Sequence, residues 1–135
     1  MKKFLLIASF LFSFISVLNA QPDNNDEKIR DKMREYIQQR MKMTRSEAER
    51  FTPVFIRYFR EWRNTLKENR TDRLILQQKI VEIRLRYRNE FKEIIGEQRS
   101  NEVYRQQEIF IQELKDIKRE RMDNRRGPRT RELPL

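Results

Sequence analysis

The chain has 135 residues and a formal net charge of +10, and it contains neither cysteine nor histidine. Disulfide frameworks, thiol redox chemistry, and zinc or haem sites built on these two residue types are therefore excluded. Only two glycines and four prolines leave little turn chemistry for β-strands, so the composition predicts an all-α fold of long helices.

The first 20 residues have the pattern of a secretory signal peptide. Lys2 and Lys3 precede an apolar run over residues 4–18, and a polar segment follows Ala20. About fifteen apolar residues are fewer than the roughly 20 that span a membrane. We therefore expect cleavage near Ala20 and export to the periplasm. Without residues 1–20 the chain loses two of its 31 basic residues and none of its 21 acidic residues, which leaves a net charge of +8.

Four amphipathic helices are predicted in residues 27–122, between a disordered leader at residues 21–26 and a disordered basic tail at residues 123–135. The first helix covers about residues 27–41. The second begins at Thr44, because Thr44 and Glu47 have the spacing of a capping box, and it runs to about residue 69. The third follows a turn in which Thr71 is a candidate cap, and it ends at Gly96. The fourth covers about residues 98–122.

The second helix carries an aromatic stripe at helical spacing, which we expect to be buried. The stripe consists of Phe51, Phe55, Tyr58, Phe59, Trp62 and Leu66. A short turn joins this helix to the third, so the two are predicted to form an αα-hairpin.

The apolar residues of the third helix form a seam that is close to a heptad pattern. The seam consists of Leu76, Ile80, Ile83, Tyr87, Phe91 and Ile94. Leu74, Val81 and Leu85 widen this apolar stripe and predict contact with more than one neighbour. The fourth helix places Val103, Phe110, Leu114 and Ile117 on one face. Because an isolated hairpin leaves such stripes uncovered, we expect a homodimer.

The start of the second helix resembles the Leu-Thr-x-x-Gln motif of the Spy/CpxP family of periplasmic stress proteins. The motif stands here as Met43-Thr44-Arg45-Ser46-Glu47, with Met for Leu and Glu for Gln. A weaker second copy at residues 94–98 keeps Gln98 but lacks the threonine. The resemblance implies a cradle-shaped antiparallel dimer that binds partly unfolded proteins without ATP, or that modulates a membrane-bound stress regulator. Some relatives respond to metals through histidine, which this chain lacks, so neither a metal nor a cofactor is expected.

Binding of non-native proteins requires apolar groups for capture and charges that attract the chain and keep the complex in solution. Of the 29 basic residues after residue 20, 21 are arginine, whose guanidinium group stacks on aromatic rings. Phe51, Phe55, Phe59 and Trp62 are expected in the core, so the client-binding candidates lie beside them and on the third helix. The candidates are Val54, Ile56, Arg57, Tyr58, Arg60, Arg84 and Arg88.

Other functions are less well supported by the residues. No carboxylate pair stands out as catalytic, and no glycine-rich phosphate loop is present, so an enzyme is not predicted. The positive charge is typical of a nucleic-acid binder, but export argues against that partner. Binding to an anionic surface through the basic tail, and a regulatory role in envelope stress, remain open alternatives.

Overall fold

The computed structural model of the chain describes residues 24–127. This part of the chain contains helices and no strand, which confirms the all-α fold. The helices are α1 (Asn24–Arg40), α2 (Arg45–Glu68), α3 (Arg73–Ile95) and α4 (Glu97–Arg125). The predicted signal peptide and most of the predicted tail lie outside the described residues. At the two ends, α1 begins inside the leader assigned to residues 21–26, and α4 continues past residue 122.

The four helices form a closed ring in which each helix packs against the next and α1 also packs against α4. Neighbouring helices run antiparallel, because contacts pair early residues of one helix with late residues of the next. Between α1 and α2 these contacts are Asp26 with Arg63 and Gln38 with Thr52, and between α2 and α3 they are Phe51 with Phe91 and Tyr58 with Tyr87. Between α3 and α4 they are Phe91 with Tyr104 and Arg84 with Glu108, and between α1 (with the Met41 carbonyl just after it) and α4 they are Met41 with Arg99 and Tyr36 with Phe110.

The aromatic stripe of α2 forms the centre of this ring. Phe51, Phe55 and Tyr58 are fully buried, and Phe59 and Trp62 are nearly so. The predicted burial is therefore confirmed for these five residues, whereas Leu66 at the end of the stripe is half-buried. Its rings contact aromatic residues of α3 and α4, with ring centroids 5.1 Å apart for Phe51 and Phe91 and 5.5 Å apart for Tyr58 and Tyr104. Such pairs contribute about 0.5–1.5 kcal/mol each beyond the burial of their area. One chain therefore covers this stripe without a second copy.

The helix ends follow local signals in the sequence. Gly96 is the C-cap of α3, as predicted, and its φ of 84° lies in the left-handed region that favours glycine. Because α4 begins at the next residue, this single glycine makes the turn between the two helices. The predicted cap at Thr71 is wrong: Asp72 is the N-cap of α3, and its carboxylate accepts a hydrogen bond from the Ile75 amide (3.1 Å). Aspartate is the stronger N-cap residue of the two.

The apolar residues of α3 and α4 are not all covered by the ring. Ile83, Tyr87 and Phe91 are buried as the seam predicts, but Leu74, Val81 and Leu85 are exposed. The prediction that α3 contacts more than one neighbour is confirmed, because α2 and α4 both pack against it. These three residues, however, lie on the side of α3 that neither helix covers. On α4, Val103 and Phe110 are buried, whereas Leu114 and Ile117 on the same stripe are exposed.

Candidate functional site

The residues of the first motif act together at the start of α2. The Glu47 amide donates to Thr44 Oγ1 (3.2 Å), and the Thr44 amide donates to Glu47 Oε1 (3.0 Å), so the predicted capping box forms. Arg99 of α4 donates to both carboxylate oxygens of Glu47 (2.7 and 3.2 Å) and to the Met41 carbonyl (3.1 Å). Hydrogen bonds from Arg99 and from the Thr44 amide lower the pKa of Glu47.

This arrangement gives the motif a structural role. Arg99 ties the loop between α1 and α2 to the first turn of α4, and a guanidinium that bonds both carboxylate oxygens fixes direction as well as distance. Met43 is half-buried and packs against the core, whereas Gln98, in the second motif, is exposed. Arg99 was missed in the sequence because its partner lies 52 residues away, and no local pattern indicates the pair.

Two of the four candidate arginines bridge helices, at two different junctions. Arg57 bridges α2 to α3 through Glu90 (2.7 Å), whereas Arg84 bridges α3 to α4 through Glu108 (2.9 Å) and stacks over the Tyr104 ring. Arg84 is partly buried and tied into the fold, so it is a poor candidate for a mobile contact. Arg60 and Arg88 are exposed and make no ion pair among residues 24–127. The structure therefore does not bring the four together on one face.

Two of the three apolar candidates are in the core. Val54 is buried and Tyr58 is completely inaccessible, so neither can contact a client in this fold, while Ile56 is half-buried. The Tyr58 hydroxyl donates to Gln107 Oε1 of α4 (2.5 Å), and burial raises the pKa of Tyr58. These two candidates are corrected: both side chains belong to the core cluster, and Gln107 of α4 lies against the Tyr58 hydroxyl.

Within residues 24–127, the structure exposes a row of three apolar residues on the outer side of α3. Leu74, Val81 and Leu85 are exposed by 77, 54 and 47%. Their steps of seven and four residues place them on one side of the helix, opposite the buried Ile83. We call these three residues, with Gln78 between them, the outer α3 row. The signal was present in the sequence as a second apolar row, but periodicity alone does not show which row faces the core.

Basic side chains lie at both ends of the outer α3 row. Arg73 precedes Leu74 at the start of α3, and Arg88 follows Leu85 by one helical turn, with Lys92 one turn further on. Both arginines are exposed and have no ion-pair partner in the described part of the chain. No acidic residue occupies positions 74, 78, 81, 85, 88 or 92. The row therefore combines accessible apolar area with free positive charge.

A cluster of charges beside the outer α3 row fastens α3 to α2. Arg86 and the Tyr87 hydroxyl each donate to the Glu61 carboxylate (2.7 Å in both cases). Partial burial by itself would raise the pKa of Glu61, but these two hydrogen bonds outweigh it and hold the pKa below its usual value. Burial and the bond to Glu61 raise the pKa of Tyr87 to about 12. The cluster holds the helix that carries the row in a fixed orientation.

Within residues 24–127, no group of histidine, cysteine or acidic side chains is placed to hold a metal ion. No helix in the same range is long and apolar enough to cross a membrane.

The arrangement around the outer α3 row is suited to non-covalent contact with a chain that carries apolar and acidic groups. Comparison of the sequence and structure with protein-family models, curated proteins and solved structures gave no match.

Proposed function

We propose that this protein is an exported, ATP-independent chaperone that binds non-native proteins in the periplasm, as its resemblance to the Spy/CpxP family implies. The observation that carries the proposal is the outer α3 row with its terminal arginines. Exposed apolar residues in one row on a highly charged chain are typical of an interaction surface. Because the outer α3 row lies on one helix, it offers a fixed surface for non-covalent binding, which requires no chemical reaction.

The physical basis is capture by two forces that act on different parts of the client. Leu74, Val81 and Leu85 offer apolar area to the hydrophobic segments that an unfolded protein exposes. Arg73 and Arg88 attract acidic segments over the Debye length, about 8 Å at physiological salt. Because both forces are insensitive to exact geometry, the surface accepts many clients. A homodimer, expected from the uncovered apolar stripes, would present two such rows.

The test is light scattering of an aggregation-prone protein that is diluted from denaturant, with and without residues 21–135 of this chain and without nucleotide. We expect suppression near stoichiometric ratios at low salt and weaker suppression at high salt, because salt screens the arginines. An Arg88→Gln variant should reduce the salt dependence. Arg45→Gln, which changes an exposed arginine on α2, is the matched control.

Absence of suppression at several-fold excess would contradict the chaperone proposal. In that case the regulatory role in envelope stress would be tested by capture of a membrane-bound partner. Retention of the chain on anionic vesicles, but not on neutral ones, would instead favour the anionic-surface alternative.

A further inference from the structure

The second half of α4 separates its charges by side. Six basic and four acidic residues lie between positions 113 and 126. At 3.6 residues per turn, the basic residues fall within an arc of about 160°, and the acidic residues fall within about 80° on the opposite side. The basic residues are Lys115, Lys118, Arg119, Arg121, Arg125 and Arg126, and the acidic residues are Glu113, Asp116, Glu120 and Asp123. We call the six basic residues, with Met122 among them, the basic side of α4.

This separation of charges does not stabilise the helix itself. An acidic residue four positions before a basic one stabilises a helix, whereas like charges at the same spacing destabilise it. Between positions 113 and 126 no acidic residue precedes a basic one by four positions, and three pairs of like charge have that spacing. These pairs are Lys115 with Arg119, Asp116 with Glu120, and Arg121 with Arg125. The pattern therefore favours a negatively charged partner outside the helix.

The basic side of α4 is exposed and free of ion pairs. Every residue from 112 to 127 is exposed, and the six basic residues make no ion pair within residues 24–127. Earlier in the same helix, by contrast, Arg99 pairs with Glu47 and Arg105 pairs with Glu102. The unpaired positive charge of α4 is therefore confined to its second half.

The start of α3 adds positive charge next to the basic side of α4. Arg84 pairs with Glu108 across the antiparallel helices α3 and α4. Arg73 lies eleven residues before Arg84. Arg119 lies eleven residues after Glu108 and is therefore level with Arg73, because both helices have the same rise per residue. Arg73, and Arg70 in the turn before it, are exposed and have no ion pair in the described part of the chain.

We propose that the basic side of α4 binds the anionic headgroups of a lipid bilayer. Attraction to such a surface adds up over the basic residues near it, which suits charges spread along about 16 Å of helix. Met122 is exposed by 50% and lies one turn from both Lys118 and Arg126. Its side chain can enter the boundary between headgroups and acyl chains, as apolar residues of surface-bound helices do.

A nucleic acid offers the same phosphate chemistry, but the residues favour a bilayer. The basic side of α4 has no aromatic residue on which bases could stack, and the exposed Met122 gains nothing from contact with phosphate alone. The choice of a bilayer also rests on the proposed export, which places the chain beside membranes. The inference otherwise goes beyond client binding, since it assigns a second partner to α4 and not to the outer α3 row.

Cosedimentation with lipid vesicles tests the inference on residues 21–135. We expect binding to vesicles of phosphatidylcholine with phosphatidylglycerol, less binding at high salt, and none to phosphatidylcholine alone. Each basic residue near an anionic surface strengthens binding about fivefold, so Arg119→Gln with Arg126→Gln should weaken it roughly 30-fold. Lys32→Gln with Arg45→Gln removes the same charge from exposed positions on α1 and α2, and it should change binding little.

A fluorophore on a single cysteine tests which side of α4 meets the bilayer, because the full chain contains no cysteine of its own. Met122→Cys places an environment-sensitive label on the basic side of α4, and Glu120→Cys places the same label on the acidic side. We expect anionic vesicles to cause a blue shift at position 122 and none at position 120.

Several outcomes would overturn the inference. They are no binding to anionic vesicles, an equal loss in the Lys32 and Arg45 double variant, and equal shifts at positions 122 and 120. Tighter binding to a short DNA duplex than to anionic vesicles at equal phosphate concentration would assign the basic side of α4 to nucleic acid instead. These results do not bear on client binding, which the light-scattering experiment measures without lipid.

Discussion

Replacement of Val81 and Leu85 by serine should weaken client capture while leaving the fold intact. About half of each side chain is exposed in the folded chain, so about half of its apolar area is available to a client. Full burial of such a side chain contributes about 1.5–3 kcal/mol. The exposed halves of both residues therefore contribute about 2 kcal/mol together, which corresponds to a roughly 30-fold change in the dissociation constant.

The assay is fluorescence anisotropy of a labelled, permanently unfolded polypeptide titrated with each variant. Met122→Ser is the matched control, because Met122 is exposed to a similar extent on α4. We expect a roughly 30-fold loss for the double variant and little change for the control. The free energy of unfolding should fall by at most about 1 kcal/mol, as is usual for exposed positions.

Unchanged affinity in the double variant would refute the assignment of client binding to the outer α3 row. An equal loss in Met122→Ser would also refute it, since the effect would then follow exposed apolar area in general. Loss of helix content in the double variant would show instead that the row supports the fold.

Three further predictions concern stability. Tyr58→Phe leaves the buried Gln107 amide oxygen without its hydroxyl donor and should lower the free energy of unfolding by about 1–3 kcal/mol in chemical denaturation. The double variant with Gln107→Leu should recover most of that loss. A double variant whose loss equals the sum of the two single losses would contradict this prediction. The hydrogen bonds from Arg99 lower the pKa of Glu47 from 4.5, so the stabilisation of the fold by this pair is present above about pH 4.5 and is lost as the pH falls. The free energy of unfolding of Glu47→Gln should therefore decrease less on acidification than that of the wild type. Equal decreases in the two proteins would contradict a stabilising role of the pair. The pKa of Tyr87 is raised from 10.0 to about 12, so the contribution of its protonated hydroxyl to stability is lost as the pH rises from about 10 to about 12. Between these pH values the melting temperature of Tyr87→Phe should fall less than that of the wild type. An equal fall in both proteins would contradict the prediction.

Local features of the fold could be predicted from the sequence. The capping box at Thr44 and Glu47 depends on residues three apart, and the glycine at position 96 reports a backbone angle at its own position. The burial of the α2 stripe followed from its spacing and its aromatic content. All of these signals lie within one helix or one turn, where the sequence and the structure correspond directly.

Features that depend on the arrangement of helices could not be predicted. Tyr58 has the spacing of the buried stripe but was also a client-binding candidate, and only the position of α4, with Gln107 against the Tyr58 hydroxyl, shows that it is inaccessible. Both apolar rows of α3 have helical spacing, and the positions of α2 and α4 decide that Ile83 is buried and Val81 is exposed. Likewise, no sequence signal in the stripe of α4 marks where its burial ends, between Phe110 and Leu114.

If the protein binds clients as proposed, a bound client covers the outer α3 row. The most direct measurement uses a single cysteine at Gln78, within the row, labelled with an environment-sensitive fluorophore and titrated with an unfolded polypeptide. A label at Arg45→Cys, whose arginine side chain is 94% exposed on α2, is the reference. We expect a saturable blue shift at position 78 and none at position 45. No shift at position 78 at saturating polypeptide, or an equal shift at both positions, would contradict it.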